Sequence, residues 1–366
     1  MRVLLFIDSL TTGGAQRQLV GLAALLTAKG YQVSVATYFD EPFYAEDLHL
    51  NHIAYVCIPN SQNRFRRIFQ VYRHFRKLRP DLVIAYLETP GILAVLVRLF
   101  GCRYKLIVSE RNTTQKPGIK DKIRFFLFRF ADRIVPNSYS QSQFIITHYP
   151  NLSSKTTTIT NFVDTEYFKP GEYHLTGEPL RILTIGRIAP QKNVLKYIQA
   201  IGSVLESGTE VRVDWYGNGL MNDGMSDQLS PYYLECIALI KSYNLENHFF
   251  FHPPVREVRM KYHECDVFCL PSVYEGFPNV ICEAMACGKP ILAGNICDNR
   301  LLVEEGINGY LFDPQTPDSI VQSINKFSNQ NPEERMQFGK SSRYKAIKEF
   351  SGWAFLQKYI DLAEQI

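Results

Sequence analysis

No stretch of this 366-residue chain is apolar over enough residues to cross a bilayer. An uncharged run such as GILAVLV falls far short of the roughly 20 residues that a membrane-spanning helix needs. The first apolar run, RVLLFI at residues 2–7, is too short for the core of a signal peptide and suits a buried strand. These absences predict a cytoplasmic protein.

Paired cysteine motifs are missing as well. The eight cysteines include no C-x-x-C pair, so we expect reduced thiols in the core rather than disulfides. His263, Cys265 and Cys269 are the candidate metal ligands, but their spacing fits no zinc pattern well. The sequence therefore predicts no metal site. The cysteines are Cys57, Cys102, Cys236, Cys265, Cys269, Cys282, Cys287 and Cys297.

No G-x-G-x-x-G motif follows the first predicted strand. The loop there reads TTGGAQ, residues 11–16, in which Gly13 and Gly14 would let the backbone approach a ligand closely. The second strand does not end on an acidic residue where a dinucleotide site would need one. A nicotinamide or flavin site is therefore not expected.

The charge that is present is distributed unevenly. The net charge is +4, in an ordinary globular composition that is 46% hydrophobic and can therefore supply two cores. Residues 1–160 hold 21 Lys+Arg and 10 Asp+Glu, whereas the remainder holds 19 and 26. A basic first half joined to an acidic second half indicates that the halves meet different partners.

Apolar runs alternate with helical stretches, which is typical of parallel sheets covered on both faces. The pattern pauses at residues 163–179, which read as a linker. We predict two doubly wound, Rossmann-like α/β domains, 1–162 and 180–345, and a terminal helix at 346–366 that could cross back to the first domain. Ligands bind beyond the carboxyl ends of such strands, so we expect one in a cleft between the domains. The predicted strands are 2–7, 32–38, 53–58, 81–86, 104–109, 132–137, 180–186, 210–217, 248–253, 266–271 and 290–294.

The segment EGFPNVICEAMACG carries a predicted anion site. Pro278 suits the first turn of a helix that Gly288 ends. The free amides around Phe277, Asn279 and Val280 would stand at the positive end of the helix dipole. They are suited to bind a phosphate.

Two glutamates and two cations accompany this site. Glu275 would repel a phosphate and should face a hydroxyl-rich group, whereas Glu283 can accept hydrogen bonds from a vicinal diol such as ribose. The loop GRIAPQKN, residues 186–193, follows another strand, and its Arg187 and Lys192 suit a diphosphate. In the alternative for the glutamates, Glu275 and Glu283 are both solvated at the surface. In the alternative for residues 186–193, the segment is an ordinary basic loop.

Taken together, these motifs resemble a known family. GGAQ, GRIAPQK and the E-x7-E spacing of EGFPNVICE look like the retaining nucleotide-sugar glycosyltransferases of the GT-B fold, in their large bacterial family 4. NFVDTEYFKP is similar to that family's interdomain joint, and LVEEGINGYLF to the stretch after its E-x7-E helix. The resemblance covers nearly the whole chain. It implies a GT-B fold, in which an acceptor-side first domain and a donor-binding second domain face each other across a cleft.

The resemblance also implies a reaction. A sugar would pass from a nucleoside-diphosphate sugar to an acceptor hydroxyl with retention, without a metal or another cofactor. A UDP-sugar is the favoured donor and a GDP-sugar the alternative, and the acceptor would be a lipid-linked or surface polysaccharide. A nucleotide-sugar epimerase and a non-catalytic partner subunit remain open as other functions of the same architecture.

Roles for individual residues follow from the same resemblance. Arg187 and Lys192 would hold the diphosphate and stabilise the leaving nucleotide. Glu283 would bind the ribose. Glu275 would hold a sugar hydroxyl and would be catalytic together with Arg187 and Lys192. The other donor contacts would come from Gly13, Gly14, Gly217, His252, Gly276, Phe277, Pro278, Asn279 and Val280.

Three positions depart from the family pattern. Many relatives carry a His near the end of the strand matching KLIVS, whereas this chain has SERN, so Glu110 or Arg111 would stand on the acceptor side and the general base is left open. His252 stands where relatives often have a Gly. Asn193 replaces a common Gly after the lysine.

Two basic amphipathic segments mark the first half. Residues 64–79, RFRRIFQVYRHFRKLR, hold seven cations and no acid, and residues 120–133, KDKIRFFLFRFADR, repeat the mixture of cations and aromatics. Such helices can lie on an anionic membrane surface, here peripherally on its inner face, which would bring the enzyme to a lipid-linked acceptor. The alternatives are helices with a solvated basic face and, less favoured, nucleic-acid binding.

Overall fold

The alternating apolar runs form two separate parallel sheets. A computed structural model describes residues 1–11, 13–59, 63–112, 114, 117–172, 179–220, 229–255 and 257–366. It divides the chain into a first unit, Met1–Phe162 with Gly352–Ile366, and a second unit, Val163–Ser351. Each unit has its own sheet and its own hydrophobic core.

Six short apolar runs form the sheet of the first unit. They are β1 (Arg2–Phe6), β2 (Gln32–Thr37), β3 (Ala54–Cys57), β4 (Leu82–Tyr86), β5 (Lys105–Glu110) and β6 (Arg133–Pro136). The order across the sheet is β3-β2-β1-β4-β5-β6, and all neighbouring pairs are parallel. This is the doubly wound order of a Rossmann-like domain, so the predicted fold class is confirmed here.

Helices cover both faces of this sheet. They are α1 (Gly14–Ala28), α2 (Ala45–Leu50), α3 (Arg64–Leu78), α4 (Glu88–Leu99), α5 (Ile119–Phe128), α6 (Tyr139–His148) and, at the end of the chain, α14 (Gly352–Glu364). Successive strand residues point to opposite faces. Leu5 of β1 accordingly packs in the core shared with α1 and α14, and Phe6 in the core shared with α3, α4 and α5.

The last helix, α14, belongs to the first unit. Its Phe355 ring lies 4.9 Å from the ring of Phe162. Its Tyr359 hydroxyl lies 3.3 Å from the hydroxyl of Tyr86 on β4, and both are buried. The apolar face of the terminal helix is thus buried against the sheet that begins the chain, an outcome that the sequence left open.

The second unit repeats the same design. Its strands are β7 (Leu180–Ile185), β8 (Val211–Tyr216), β9 (Phe249–His252), β10 (Val267–Leu270), β11 (Ile291–Gly294) and β12 (Gly309–Phe312), and β12 was not among the predicted strands. They are parallel in the order β12-β11-β10-β7-β8-β9. The strand order reverses between β7 and β10, which is where doubly wound sheets bind ligands.

The helices of the second unit follow its strands in alternation. They are α7 (Val194–Glu206), α8 (Pro231–Ser242), α9 (Val258–Glu264), α10 (Asn279–Ala286), α11 (Asn299–Leu302), α12 (Pro317–Ser328) and α13 (Pro332–Phe350). α13 begins with a capping box between Asn331 and Glu334. It runs unbroken to Phe350, past residue 345, where the sequence pattern placed the end of the domain.

The first residues of the predicted linker pack in the second unit. Val163 N donates a hydrogen bond to Phe350 O at 2.8 Å, and the buried Phe168 ring lies 6.0 Å from the ring of Tyr262. Apolar side chains within a polar stretch thus anchor this segment to a core. Residues 173–178 of the predicted linker lie outside the described residues.

All eight cysteines are free thiols, and six of them are buried, as expected for reduced core residues. Within the described ranges, no group of three or more His, Cys, Asp or Glu side chains is arranged to hold a metal ion. Every helix in these ranges is too short or too polar to cross a bilayer.

Candidate active site

Two loops that are far apart in sequence meet at the carboxyl ends of β7 and β10. The loop after β7 holds Arg187 and Lys192, and the loop after β10 holds Glu275. Because β7 and β10 are paired neighbours, both loops lie at the point where the strand order reverses. Residues that were predicted to bind a diphosphate and a sugar therefore stand in one place.

Gln191 joins these loops through its main chain and its side chain. Val273 N donates to Gln191 O at 2.9 Å, and Gln191 Nε2 donates to Tyr274 O at 3.0 Å. Pro190–Lys192 forms a 3₁₀ turn, and proline at its start restricts the backbone that presents Lys192. Gln191 was not among the predicted site residues, because nothing in a lone loop glutamine indicates a distant partner.

Lys192 and Glu275 form an ion pair inside the site. Lys192 Nζ lies 2.5 Å from Glu275 Oε1, and the two side chains are only 15% and 11% exposed. The carboxylate thus neutralises the cation that was predicted to hold a diphosphate. The ammonium group has three N–H donors, so Lys192 can bind a phosphate beside Glu275 or in its place.

The start of α10 lies just after Glu275. Pro278 is its N-cap residue and provides no side-chain hydrogen bond to the first turn. The backbone amides of its first turn carry the positive end of the helix dipole. The ring of Phe277 is buried 5.7 Å from that of Phe350, which anchors the turn. This geometry suits the anion site predicted at residues 276–280.

Glu283 is held in place from the neighbouring helix. It is 4% exposed, and the Tyr262 hydroxyl of α9 donates to Glu283 Oε2 at 2.9 Å. The same hydroxyl lies 3.2 Å from Val280 O. A carboxylate that accepts a fixed hydrogen bond is oriented before a ligand arrives. Tyr262 was not among the predicted site residues, because an aromatic residue at helical spacing is typical of a hydrophobic core.

The loops after β8 and β9 adjoin this site. A Cβ atom on Gly217 would lie 1.9 Å from Gly186 O, so the close approach of these two backbones requires glycine. Gly217 N also donates to His252 O at 3.0 Å. The His252 ring points elsewhere: its Nε2 lies 2.7 Å from Asp214 Oδ1, and the ring stacks on Tyr216 beside an open cavity of about 600 Å³. The predicted contact of His252 with the donor therefore stays a prediction.

Arg187 lies in the loop after β7, whereas Gly13 and Gly14 lie where α1 begins. Arg187 is exposed and follows Gly186, whose carbonyl accepts a hydrogen bond from Trp215 Nε1 at 2.7 Å. Gly13 is the N-cap of α1 and Gly14 its first residue, both in the first unit. Their predicted contacts with a diphosphate stay predictions.

The backbone at Asn193 explains one departure from the family pattern, in which an asparagine replaces a common glycine. Its backbone is left-handed, with φ of 60°, between the 3₁₀ turn and α7. Its Nδ2 donates to Pro314 O at 2.6 Å. Asparagine adopts this conformation more readily than other residues with a side chain, so it can replace glycine here without a change in the backbone.

The end of β5 carries a buried group of charges. Glu110 is 1% exposed, and Arg124 of α5 lies 3.3 Å from its carboxylate. The Arg124 guanidinium also pairs with Glu88 and Asp121. Burial raises the pKa of Glu110 to about 7, since the effect of burial and of the two other carboxylates outweighs that of Arg124. Glu110 therefore changes its charge near neutral pH. The sequence pattern did not single out Arg124.

Arg111 makes structural contacts. Its guanidinium donates to Asn161 Oδ1 at 2.7 Å and to the Tyr359 hydroxyl at 2.8 Å, and it lies 4.2 Å from the ring centroid of Tyr86. These contacts tie the end of β5 to α14. They favour a role in docking the terminal helix, and the acceptor-side roles of Glu110 and Arg111 stay predictions.

Comparison with protein families defines the class. A model described as Glycosyltransferase Family 4 matches residues 12–167, and one described as Glycosyl transferases group 1 matches residues 168–345. Together the two models cover most of the chain. The protein therefore belongs to the glycosyltransferases and has the GT-B fold that its motifs predicted.

Individual relatives agree with this class. The chain is 26% identical over 311 residues, 79% of each protein, to the N-acetylgalactosamine-N,N'-diacetylbacillosaminyl-diphospho-undecaprenol 4-alpha-N-acetylgalactosaminyltransferase of Campylobacter jejuni. It is 22% identical over 89% of each protein to the amylovoran biosynthesis glycosyltransferase AmsD of Erwinia amylovora. The crystal structure of Anabaena HepE in complex with UDP matches the full length of both chains with a TM-score of 0.85 at 20% identity, which shows the same fold.

Proposed function

We propose that this glycosyltransferase moves a sugar from a nucleoside-diphosphate sugar to an acceptor hydroxyl, with retention and without a metal ion. The observation that carries the proposal is the joining of the Lys192 loop to the Glu275 loop beside the start of α10. A cation, a carboxylate and a helix N-terminus stand there at the ligand-binding edge of a doubly wound sheet.

The proposed chemistry assigns each group a role. Arg187 and Lys192 bind the diphosphate and, with the first amides of α10, stabilise the charge on the leaving nucleotide that a metal ion stabilises in other enzymes. When Lys192 turns to the phosphate, Glu275 is free to accept a hydrogen bond from a sugar hydroxyl. Glu283, oriented by Tyr262, accepts hydrogen bonds from the ribose.

A UDP-sugar is the proposed donor. Anabaena HepE, which has the same fold, is described in complexes with UDP and with UDP-glucose. That fold-level likeness supports a uridine nucleotide and does not specify the sugar. A GDP-sugar is the alternative.

We further propose that the acceptor is a lipid-linked or surface glycan reached at an anionic membrane surface. The name of the Campylobacter relative specifies a diphospho-undecaprenol acceptor, and the Erwinia relative is named for amylovoran biosynthesis. Residues 64–79 and 120–133 carry cations that attract anionic lipids. These observations together support an acceptor presented from a membrane.

Two substitutions test the donor site. Arg187→Ala and Glu283→Ala are each expected to lower the rate of sugar transfer on the order of 100-fold while the protein stays folded. Release of nucleoside diphosphate and mass-spectrometric detection of product measure that rate. Arg103→Ala, which removes an exposed arginine ahead of β5 in the first unit, is the control and should transfer as wild type does. Wild-type turnover in both site variants would refute the proposed site.

Incubation of the donor, first without and then with an acceptor, distinguishes the other two functions. An epimerase would convert the free donor into a second nucleotide sugar. A non-catalytic partner subunit would leave the donor unchanged even after an acceptor is added. We expect an unchanged donor without acceptor, and sugar transfer once an acceptor is added.

A further inference from the structure

Large apolar side chains are exposed on neighbouring helices of the first unit. Phe65 of α3 is 83% exposed, Phe100 at the end of α4 is 62% exposed, and Phe126 of α5 is 56% exposed. α4 packs against both α3 and α5, so these side chains belong to one helix layer. We call the set the exposed apolar face. It consists of Phe65, Phe69, Leu99, Phe100, Ile119, Ile123 and Phe126.

A groove of about 630 Å³ opens in this face between α3 and α4. The hydroxyl of Tyr72 in its lining accepts a hydrogen bond from Arg76 at 3.0 Å. Because the lining is aromatic and aliphatic, the groove suits hydrocarbon rather than a polar ligand. The lining residues are Phe65, Ile68, Phe69, Tyr72, Leu96 and Phe100.

The core of the unit does not use these exposed side chains. α3 already buries Phe75 against the sheet, and α5 buries Phe125 and Phe128. Phe65 and Phe69 are four residues apart and form a second apolar stripe that points outward. Apolar patches that extend over several elements of a protein surface mark sites of interaction.

Cations accompany the exposed apolar face. Arg66, Arg73 and Lys77 are exposed on α3, which has no acidic residue between 64 and 79. Just after α5, the Arg129 guanidinium lies 4.4 Å from the ring centroid of Phe126. Aromatic rings beside arginine and lysine suit the boundary between headgroups and hydrocarbon in an anionic bilayer.

We propose that the exposed apolar face inserts into the hydrocarbon boundary of an anionic bilayer and that lipid chains occupy the groove between α3 and α4. The inference rests on the proposed function, because insertion would hold the enzyme where lipid-linked acceptors lie. It goes beyond charge attraction, since part of the binding comes from burial of the phenylalanine rings. A second copy of this chain would bring the same cations together, so it is a poorer occupant of this face.

Co-sedimentation with vesicles tests the insertion. The vesicles contain equal parts of phosphatidylcholine and phosphatidylglycerol, and binding is measured at low salt and at about 1 M NaCl, where charges are screened beyond about 3 Å. Wild-type protein is expected to keep a bound fraction at high salt, because apolar burial is not screened. The double variant Phe65→Ala/Phe69→Ala should partition at least about tenfold more weakly at high salt.

The control variant is Tyr344→Ala. It removes a ring that is 67% exposed from the second unit, outside the exposed apolar face, and it should bind vesicles as wild type does. Phe69→Trp gives a second measurement, since the fluorescence of a tryptophan that enters hydrocarbon should shift to the blue when vesicles are added. Circular dichroism verifies that each variant is folded.

Three outcomes would overturn the insertion. The first is complete release of wild-type protein from vesicles at high salt, and the second is equal vesicle binding by the wild type and the double variant. The third is that wild type forms a dimer, the double variant stays monomeric, and neither protein binds vesicles. Transfer to a water-soluble acceptor analogue separates this inference from the proposed function. The double variant should keep that transfer, whereas a wild-type protein that binds vesicles but transfers no sugar would contradict the proposed function alone.

Discussion

A single buried carboxylate, Glu110, makes the stability of the protein depend on pH. Burial is the main reason that its pKa rises from 4.5 to about 7, and the carboxylates of Glu88 and Asp121 add to the rise against the effect of Arg124. The folded state therefore binds a proton that the unfolded state has released above pH 4.5. The resulting stabilisation is fully present below pH 4.5 and is lost as the pH rises to about 7.

Glu110→Gln should remove this dependence while keeping the shape of the side chain. The free energy of unfolding of wild type minus that of the variant should fall by about 3 kcal/mol between about pH 4.5 and pH 7. Above that pH the difference should level off. Urea unfolding of both proteins across this range measures the difference. Glu210→Gln alters an exposed glutamate and serves as the control. Parallel pH profiles for wild type and Glu110→Gln would show that Glu110 does not titrate in this window.

The site residues show how far sequence reasoning reaches at this scale. Lys192 was singled out in a loop that follows a strand, Glu275 beside the start of a predicted helix, and the structure brings them together. Their mutual ion pair could not be predicted, since the sequence fixes which edge a loop occupies and not which side chains meet there. Arg124 was missed for a related reason: its carboxylate partners come from separate segments that only the folded sheet brings together.

Among the contacts between helices and strands, the one between α9 and α10 bears most directly on the candidate donor site. Tyr262 on one helix fixes Glu283 on the other, so the angle and spacing of the two helices set the position of the carboxylate. Helix periodicity predicts which face of each helix is buried. It does not predict that a buried tyrosine hydroxyl will meet a buried glutamate.

Tyr262→Phe removes that hydroxyl and leaves the ring. We expect the KM for the donor to rise on the order of tenfold, with a smaller change in kcat, because a hydrogen bond to a charged group is lost from the binding residue. Steady-state kinetics with varied donor measure both constants. Tyr197→Phe is the matched control, since Tyr197 is also a fully buried tyrosine of the second unit but lies on α7, away from the helix that fixes Glu283. An unchanged KM in Tyr262→Phe, or the same rise in Tyr197→Phe, would contradict the positioning role.

At the scale of the whole molecule, the two halves of the chain differ in charge and in the ligand each is proposed to meet. The basic half contains the exposed apolar face, and the acidic half contains the candidate donor site. Donor binding should therefore respond to substitutions in the second unit, and membrane binding to substitutions in the first.

A thermal-shift panel of nucleotides and nucleotide sugars tests the donor assignment on the intact protein. A ligand that binds only the folded state stabilises it by about 2.7 kcal/mol at a hundredfold excess over its Kd. We expect UDP and UDP-sugars to raise the unfolding temperature more than GDP does, with or without EDTA, and Arg187→Ala to abolish the rise. A panel in which no nucleotide raises the unfolding temperature would contradict the assignment.

The sequence by itself determined the two parallel sheets, most of their strands and the loops that carry the site. These features follow from local periodicity and from the rule that loops at the carboxyl ends of parallel strands share one edge. Tertiary structure alone decided that α14 packs on the first sheet, that Lys192 pairs with Glu275, that Tyr262 holds Glu283, and that Phe65 and Phe69 stay exposed. Each of these depends on contacts between residues distant in sequence, or on their absence, and local patterns of apolar and charged residues do not encode such contacts.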